Sequence, residues 1–300
     1  MGCGSWSHDS YVTYSAITKC ASVDDSGVMR TAMTNQEMFK SRSLDPALNP
    51  KGVIRECCDN DEHPETVPVI LALDVTGSMG QTAVEVAKKL NVIMTKLYEK
   101  VKDVEFLIMG IGDFAYDHCP LQASQFESDI RIAEQLDKIY FEFGGGGNSF
   151  ESYTAAWYFG LYHTKLDCWG RNKRGIIITM GDECMNPYLP VSNRYHTFEE
   201  VTGDPIQEDI ETKMLYNEVV NKFDIYHLDV NHRNRYDDKV IANSWLSLLD
   251  RDHFKVVTMD EISDVIIDII LNSVANDGGM VSDTNSESAT TVNKNGEITW

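Results

Sequence analysis

The sequence predicts an α/β fold of the doubly wound kind, a mostly parallel central sheet flanked by helices, and three observations lead there. Five apolar, β-branched runs of strand length recur along the middle of the chain: VPVILALD (67–74), VEFLIMGIGD (104–113), RGIIITMGD (174–182), FDIYHLDV (223–230) and FKVVTMD (254–260). Continuous apolar runs, as opposed to alternating ones, mark strands buried on both faces. Segments of helical period separate these runs, and that alternation signals a parallel sheet wrapped by helices. Four of the runs end in an aspartate: Asp260 opens the last helical segment, and Asp74, Asp113 and Asp182 are the other three. In such folds the loops beyond the carboxyl ends of the strands open into a crevice where strand order reverses.

Each element has its own justification. Segment 81–101 carries Val84, Ala87, Leu90, Met94, Leu97 and Val101 on one helical face. From Asp260 onward, Ile262, Val265, Ile266, Ile269 and Ile270 share a face, with Asp264 and Asp268 opposite. These spacings are core signals and carry no function. Residues 1–66 are polar and punctuated by Pro46, Pro50 and Pro64, so they are expected to form an irregular extension packed on a core domain spanning 67–275. The last stretch, 276–300, is too polar to offset its own ordering entropy and is expected to be a flexible tail. No internal repeat of solenoid length is visible.

Composition excludes several function classes. With 26 basic and 47 acidic residues the net charge is −21. Phosphate-backbone binding needs clustered Lys and Arg, so nucleic acid is not an expected partner. No run of about 18 apolar residues is present, so no bilayer-spanning segment is expected. Seven cysteines, an odd number without a C-x-x-C pair, suit free thiols in a reducing compartment. The opening MGCGSWSHDS lacks the apolar run of a secretory signal, and Trp6 stands where a myristoylation site needs Ser or Thr. A cytoplasmic location is therefore expected, with the oligomeric state left open.

The segment LALDVTGSMGQ (71–81) concentrates the chemistry. A strand that feeds directly into a carboxylate places a costly charge beside the core, which calls for a cation, a helix N-terminus or a hydrogen-bonded partner. One aspartate alone is more often a helix cap or turn residue. With a helix starting near Gly80, Asp74, Thr76 and Ser78 lie in the preceding loop and Gly77 relieves its bend. One carboxylate and two hydroxyls are hard oxygen donors, suited to Mg²⁺ or Mn²⁺ and leaving room for water or an outside ligand.

At this level Asp74-Val75-Thr76-Gly77-Ser78-Met79 resembles the metal-ion-dependent adhesion site of von Willebrand factor A domains, Asp-x-Ser/Thr-x-Ser. The likeness extends over roughly residues 67–275 in the order of strands and helices. The glycine-rich FGGGGNSFES (143–152) stands where the family supplies its next hydroxyl ligand. The family's usual Thr is missing there, which leaves Ser149, Asn148 or, through water, Glu151. IIITMGDE (176–183) stands where the family has a strand-end aspartate, here Asp182 after Met180 and Gly181. Together with IGDFAYDH (111–118), which contains Asp113, these segments look like the stand-alone bacterial or phage type of the domain. The resemblance implies a Rossmann-like fold, one divalent ion, no catalysis, and a protein partner whose acidic side chain completes the ion's coordination. Asp113, Asp182, Glu183 and Glu151 are expected to make this crevice more negative than usual for the family. It would then hold its metal more tightly and attract an external carboxylate less.

Two readings from other classes compete. Strand-end carboxylates around Mg²⁺ also describe haloacid-dehalogenase-like phosphoesterases, whose later Gly-Asp motif resembles Gly181-Asp182. Those enzymes need a second aspartate two residues after the nucleophile as general acid, and Thr76 occupies that position. A structural or virion-assembly component is the other reading, with Tyr188, Tyr195 and Phe198 as contacts, although covering their own core is the stronger expectation for these aromatics. GGGGNS lacks the Lys-Ser/Thr ending of a phosphate loop. His118 and His163 are expected to be hydrogen-bonded structural histidines, and Cys119 and Cys184 buried, inert thiols.

Overall fold

A computed structural model of the chain describes residues 4–77, 79–142, 148–193, 195–230 and 238–276. At its centre lies a six-stranded sheet. Its strands are β1 (Val67–Asp74), β2 (Val104–Ile111), β3 (Leu121–Ala123), β4 (Gly175–Gly181), β5 (Phe223–Val230) and β6 (Phe254–Val257). Their spatial order is β6-β5-β4-β1-β2-β3. All neighbours are parallel except β2 and β3, which run antiparallel at one edge. Strand order reverses between β1 and β4, so this doubly wound sheet opens its crevice above the ends of these two strands. The expected fold class is the one observed.

Period-2 alternation assigns the two faces. Val69, Leu71 and Leu73 of β1 belong to one core, while Ile70 and Ala72 belong to the other. The first core is covered by helices α2 (Gly80–Tyr98) and α7 (Ile262–Asn276), with α1 (His8–Lys19) and α3 (Arg131–Leu136) at its margin. On the other side lie α4 (Thr154–Tyr162), α5 (Thr212–Val219) and α6 (Asp238–Trp245). Burial of β1 on both sides, with Val69, Ile70, Leu71 and Ala72 all at most 1% exposed, is why its sequence is uniformly apolar.

The N-terminal segment is more regular than its composition predicts. Ser7 caps α1 by accepting from Ser10 N, and the helix docks on α2 where Tyr11 Oη donates to Ala87 O at 2.7 Å. Trp6 Nε1 donates to Asn91 Oδ1 at 3.0 Å. The polar sequence of α1 masks it, since only a few of its residues face the core. The expected tail lies outside the described residues from 277 onward. Among the described residues no helix is long and apolar enough to cross a membrane, and Cys20, Cys57, Cys58, Cys119, Cys168 and Cys184 are free thiols.

Candidate metal centre

Three strand ends deliver the crevice. β1 runs through Asp74, which is 1% exposed. Its Oδ1 accepts from Thr76 N at 2.8 Å and from Thr76 Oγ1 at 2.7 Å, so the loop folds back on the carboxylate as a tight Asx-type turn. α2 then begins at Gly80, as the spacing predicts. Ser78 lies outside the described residues.

β2 ends at Ile111, and Gly112 N donates to Pro120 O, which turns the chain and leaves Asp113 in the loop. Asp113 Oδ1 accepts from Ala115 N at 2.7 Å, and Oδ2 accepts from Asn148 Nδ2 at 2.8 Å. Asn148 therefore approaches the crevice through Asp113. Ser149 is exposed, and its carbonyl accepts from Cys184 N. β4 ends at Gly181, so Asp182 directly follows its strand.

Two participants are not legible in the sequence. Tyr153 is fully buried, and its hydroxyl donates to Asp74 Oδ2 at 2.8 Å while accepting from Glu183 N at 3.3 Å. A side chain on Gly181 would have no room, because its Cβ would sit 1.8 Å from Tyr153 Oη. Asp117 is the second: its Oδ2 accepts from Asp113 N at 2.7 Å and lies 2.5 Å from where a Cβ on Gly112 would be. Gly112 and Gly181 are thus both places where a polar side chain needs the space above the backbone.

Glu151 is the most informative residue. It is 5% exposed, and its Oε2 is buried without a hydrogen-bond partner. Burial first, then the nearby charges of Asp74, Asp117 and Asp113, push its carboxyl well above the ordinary glutamate range. Asp74 is also pushed up, mainly by burial, although its bonds from Thr76 and Tyr153 pull the other way. Burial raises Asp113, and it raises Asp117 to about 6. Among the described residues, no lysine or arginine forms an ion pair with Asp74, Asp113, Asp117 or Glu151. Buried carboxylates without a counter-charge form a site whose chemistry fits a hard divalent cation.

Among the described residues no three His, Cys, Asp or Glu side chains are grouped so as to hold an ion by themselves. An ion here would depend on hydroxyl and water ligands as well. Asp74, Thr76 and Glu151 are the described residues positioned to contribute, with Asp113 and Asp182 beside them.

The rim differs from its expectation. Phe198 is buried at 1% exposure, but Tyr188 and Tyr195 are 46% and 43% exposed, and Tyr116 and Phe150 are exposed with them. The loops carrying these rings are knit together. Ser152 N donates to Gly112 O, Phe114 N donates to Ser152 Oγ at 2.9 Å, and Asn193 Nδ2 donates to Phe114 O at 2.7 Å. His118 stacks on Tyr195 with ring centroids 4.0 Å apart. His163 is structural, between Val53 O and Asp204. Cys119 and Cys184 are buried, and burial pushes the Cys119 thiol up to about 12.

No protein-family model matches the chain, and no curated protein is similar to it. Among solved structures, it is similar to the pilus adhesin SpaC from Lactobacillus rhamnosus GG in its open conformation, at 13% identity and a TM-score of 0.45, over 76% of this chain and 31% of that one. It is likewise similar to the vWF domain of the type V pili tip protein Mfa5 from Porphyromonas gingivalis, at 13% identity and a TM-score of 0.45, over 73% of this chain and 98% of that one. A third similar structure is proximal thread matrix protein 1 from the mussel byssus, at 12% identity and a TM-score of 0.40, over 74% of this chain and 47% of that one. The chain thus spans about a third of the length of the SpaC chain. At these levels of likeness, none of the three assigns an activity to it.

Proposed function

We propose that this chain is a metal-ion-dependent protein-binding module that holds Mg²⁺, or Mn²⁺, in the crevice above β1 and β4 and does no chemistry of its own. The observation that carries the reading is the buried, unpartnered Oε2 of Glu151 among Asp74, Asp113 and Asp117, beside the hydroxyl of Thr76. A cation would take the place of the protons that burial and mutual repulsion favour on these carboxyls. Asp74, Thr76 and Ser78, with help from Ser149 or Glu151 and from Asp113 and Asp182, are the proposed binding set. The ion supplies positive charge for an acidic side chain of a partner protein, and the surrounding carboxylates temper that attraction while tightening the hold on the metal.

The exposed rings of Tyr116, Phe150, Tyr188 and Tyr195 around this crevice support a protein partner, since rigid aromatic anchors are what interfaces use. The phosphoesterase reading is weaker. Thr76 stands where those enzymes carry their general acid, and both oxygens of Asp74 already accept hydrogen bonds. Affinity capture with the unmodified chain and with Asp74→Ala, each with Mg²⁺ and with chelator, tests the proposal. Partners retained only by the unmodified chain with Mg²⁺ support it, and an identical set in all four arms refutes it. Mn²⁺ titration followed by electron paramagnetic resonance reads the metal directly.

A further inference from the structure

A second site lies away from the crevice, at the antiparallel edge of the sheet. A cavity of about 510 Å³ opens between the segment 46–55, residues 125–127 and helix α3. Four cationic side chains line it: Lys51, Arg55, Arg131 and Lys138. In a chain of net charge −21, such a grouping is unexpected on composition alone.

The pairing of these cations distinguishes them. Arg131 is neutralised locally, with Nη2 3.0 Å from Glu127 and Nε 2.8 Å from Asp129. Among the described residues, Lys51, Arg55 and Lys138 have no carboxylate within ion-pair distance. Arg55 is 6% exposed. Its side-chain hydrogen bonds run through Nη2, to Ala47 O and Ala123 O at 2.9 Å and to Asn49 O at 3.5 Å, and its Nε is buried with no partner among the described residues. Those carbonyl contacts fix the guanidinium in place but carry no full negative charge. Burial pulls Arg55 below its ordinary range, and no acidic neighbour opposes that shift. A buried guanidinium without an anion is costly to keep, and the group best suited to relieve it presents several oxygens to a planar fork of N–H donors.

We propose that this cavity binds a small phosphate-bearing anion, inorganic phosphate or a compact phosphomonoester, with Arg55 at its base and Lys51 and Lys138 supplying the remaining charge. The size of the ligand follows from the electrostatics. Glu127 and Glu134 line the same cavity, and the rest of the chain is strongly acidic, so an extended polyanion is repelled where one compact dianion is admitted. Among the described residues, no aromatic side chain lines the cavity to stack on a base. The proposal is independent of the metal reading, because it shares no residue with the crevice.

The test is calorimetric titration of inorganic phosphate into the full chain in metal-free buffer, against chloride at equal ionic strength, with glycerol phosphate and a phosphoserine peptide run alongside. The unmodified chain is expected to take up one phosphate saturably. The double variant Lys51→Ala/Lys138→Ala, which removes only peripheral lysines, is expected to bind it at least about tenfold more weakly while keeping its melting temperature in chloride. Arg55→Lys, which keeps the charge but loses the fork, is expected to weaken binding as well. Uptake no greater than that of chloride, or equal affinity in the double variant, overturns the proposal. Tighter binding of the phosphoserine peptide than of glycerol phosphate overturns the small-ligand assignment. Mn²⁺ binding is expected to be the same in Lys51→Ala/Lys138→Ala as in the unmodified chain, so failure here is distinguishable from failure of the metal reading.

Discussion

Replacing Gly181 with alanine tests the construction of the crevice at its tightest point. The new methyl carbon would sit 1.8 Å from Tyr153 Oη, 2.3 Å from Cζ and 2.4 Å from Cε1, so the phenol must leave its place. Tyr153 is fully buried against His227 and Trp245, with ring centroids 5.0 and 5.4 Å away. Overpacking of this kind costs about 1–3 kcal/mol. Losing the hydrogen bond to the Asp74 carboxylate adds about 1.5–3 kcal/mol, for a total of about 2.5–6 kcal/mol. At roughly 2–4 °C per kcal/mol for a domain of this size, the melting temperature should fall by about 5–24 °C, read by thermal unfolding followed by circular dichroism. Tyr153→Phe in the same background relieves the hydroxyl clash but not that with Cζ, so the double variant should remain destabilised. A melting temperature within about 2 °C of the unmodified chain would refute the reasoning, since Tyr153 could not then lie over Gly181.

Two further outcomes follow from the same geometry. Glu105 is fully buried with neither carboxylate oxygen hydrogen-bonded, and burial raises it from 4.5 to about 7. Because the folded value lies above the unfolded one, its protonation favours the folded state; that contribution is full below about 4.5 and is lost as pH rises through about 7. Glu105→Gln should therefore stabilise the chain at pH 8 by up to about 3 kcal/mol and flatten the stability profile between those values, measured by urea unfolding across pH; an unchanged profile would remove Glu105 as the cause. Gly203 caps helix 198–202 at φ +92°, and a Cβ there would lie 2.8 Å from Gly52 N. Gly203→Ala should cost about 1–3 kcal/mol in the denaturant midpoint, and a shift smaller than about 0.5 kcal/mol would contradict that contact.

The central strands and helix α2 are legible because burial on both faces, or on one face, writes itself directly into apolar runs and spacing. β1 occupies the predicted residues 67–74, and α2 begins at the expected Gly80. Helix α4, TAAWYFGLY, is apolar all round, so period alone cannot separate it from a strand. β3 has three residues, too few for any pattern. At the crevice, Asp74 and Thr76 can be read because they lie two residues apart in one turn. Tyr153 cannot, since its role rests on contact with Gly181 and Asp74, distant in the chain. Arg55 is invisible for the same reason: only folding brings Lys51 and Lys138 to the cavity it lines.

The aromatic stack below the crevice gives the molecule an optical reporter of its own. Trp245 lies against the His227 ring at 3.6 Å and donates its indole N–H to Glu183 O at 3.2 Å, in the loop that also holds Asp182. Burial keeps that imidazole uncharged, so its contact with the indole is steady across ordinary buffers. Movement of this loop on loading the crevice would alter the polarity felt by the indole, and emission from a chain retaining Trp245 alone among its tryptophans would follow occupancy in real time without any attached dye.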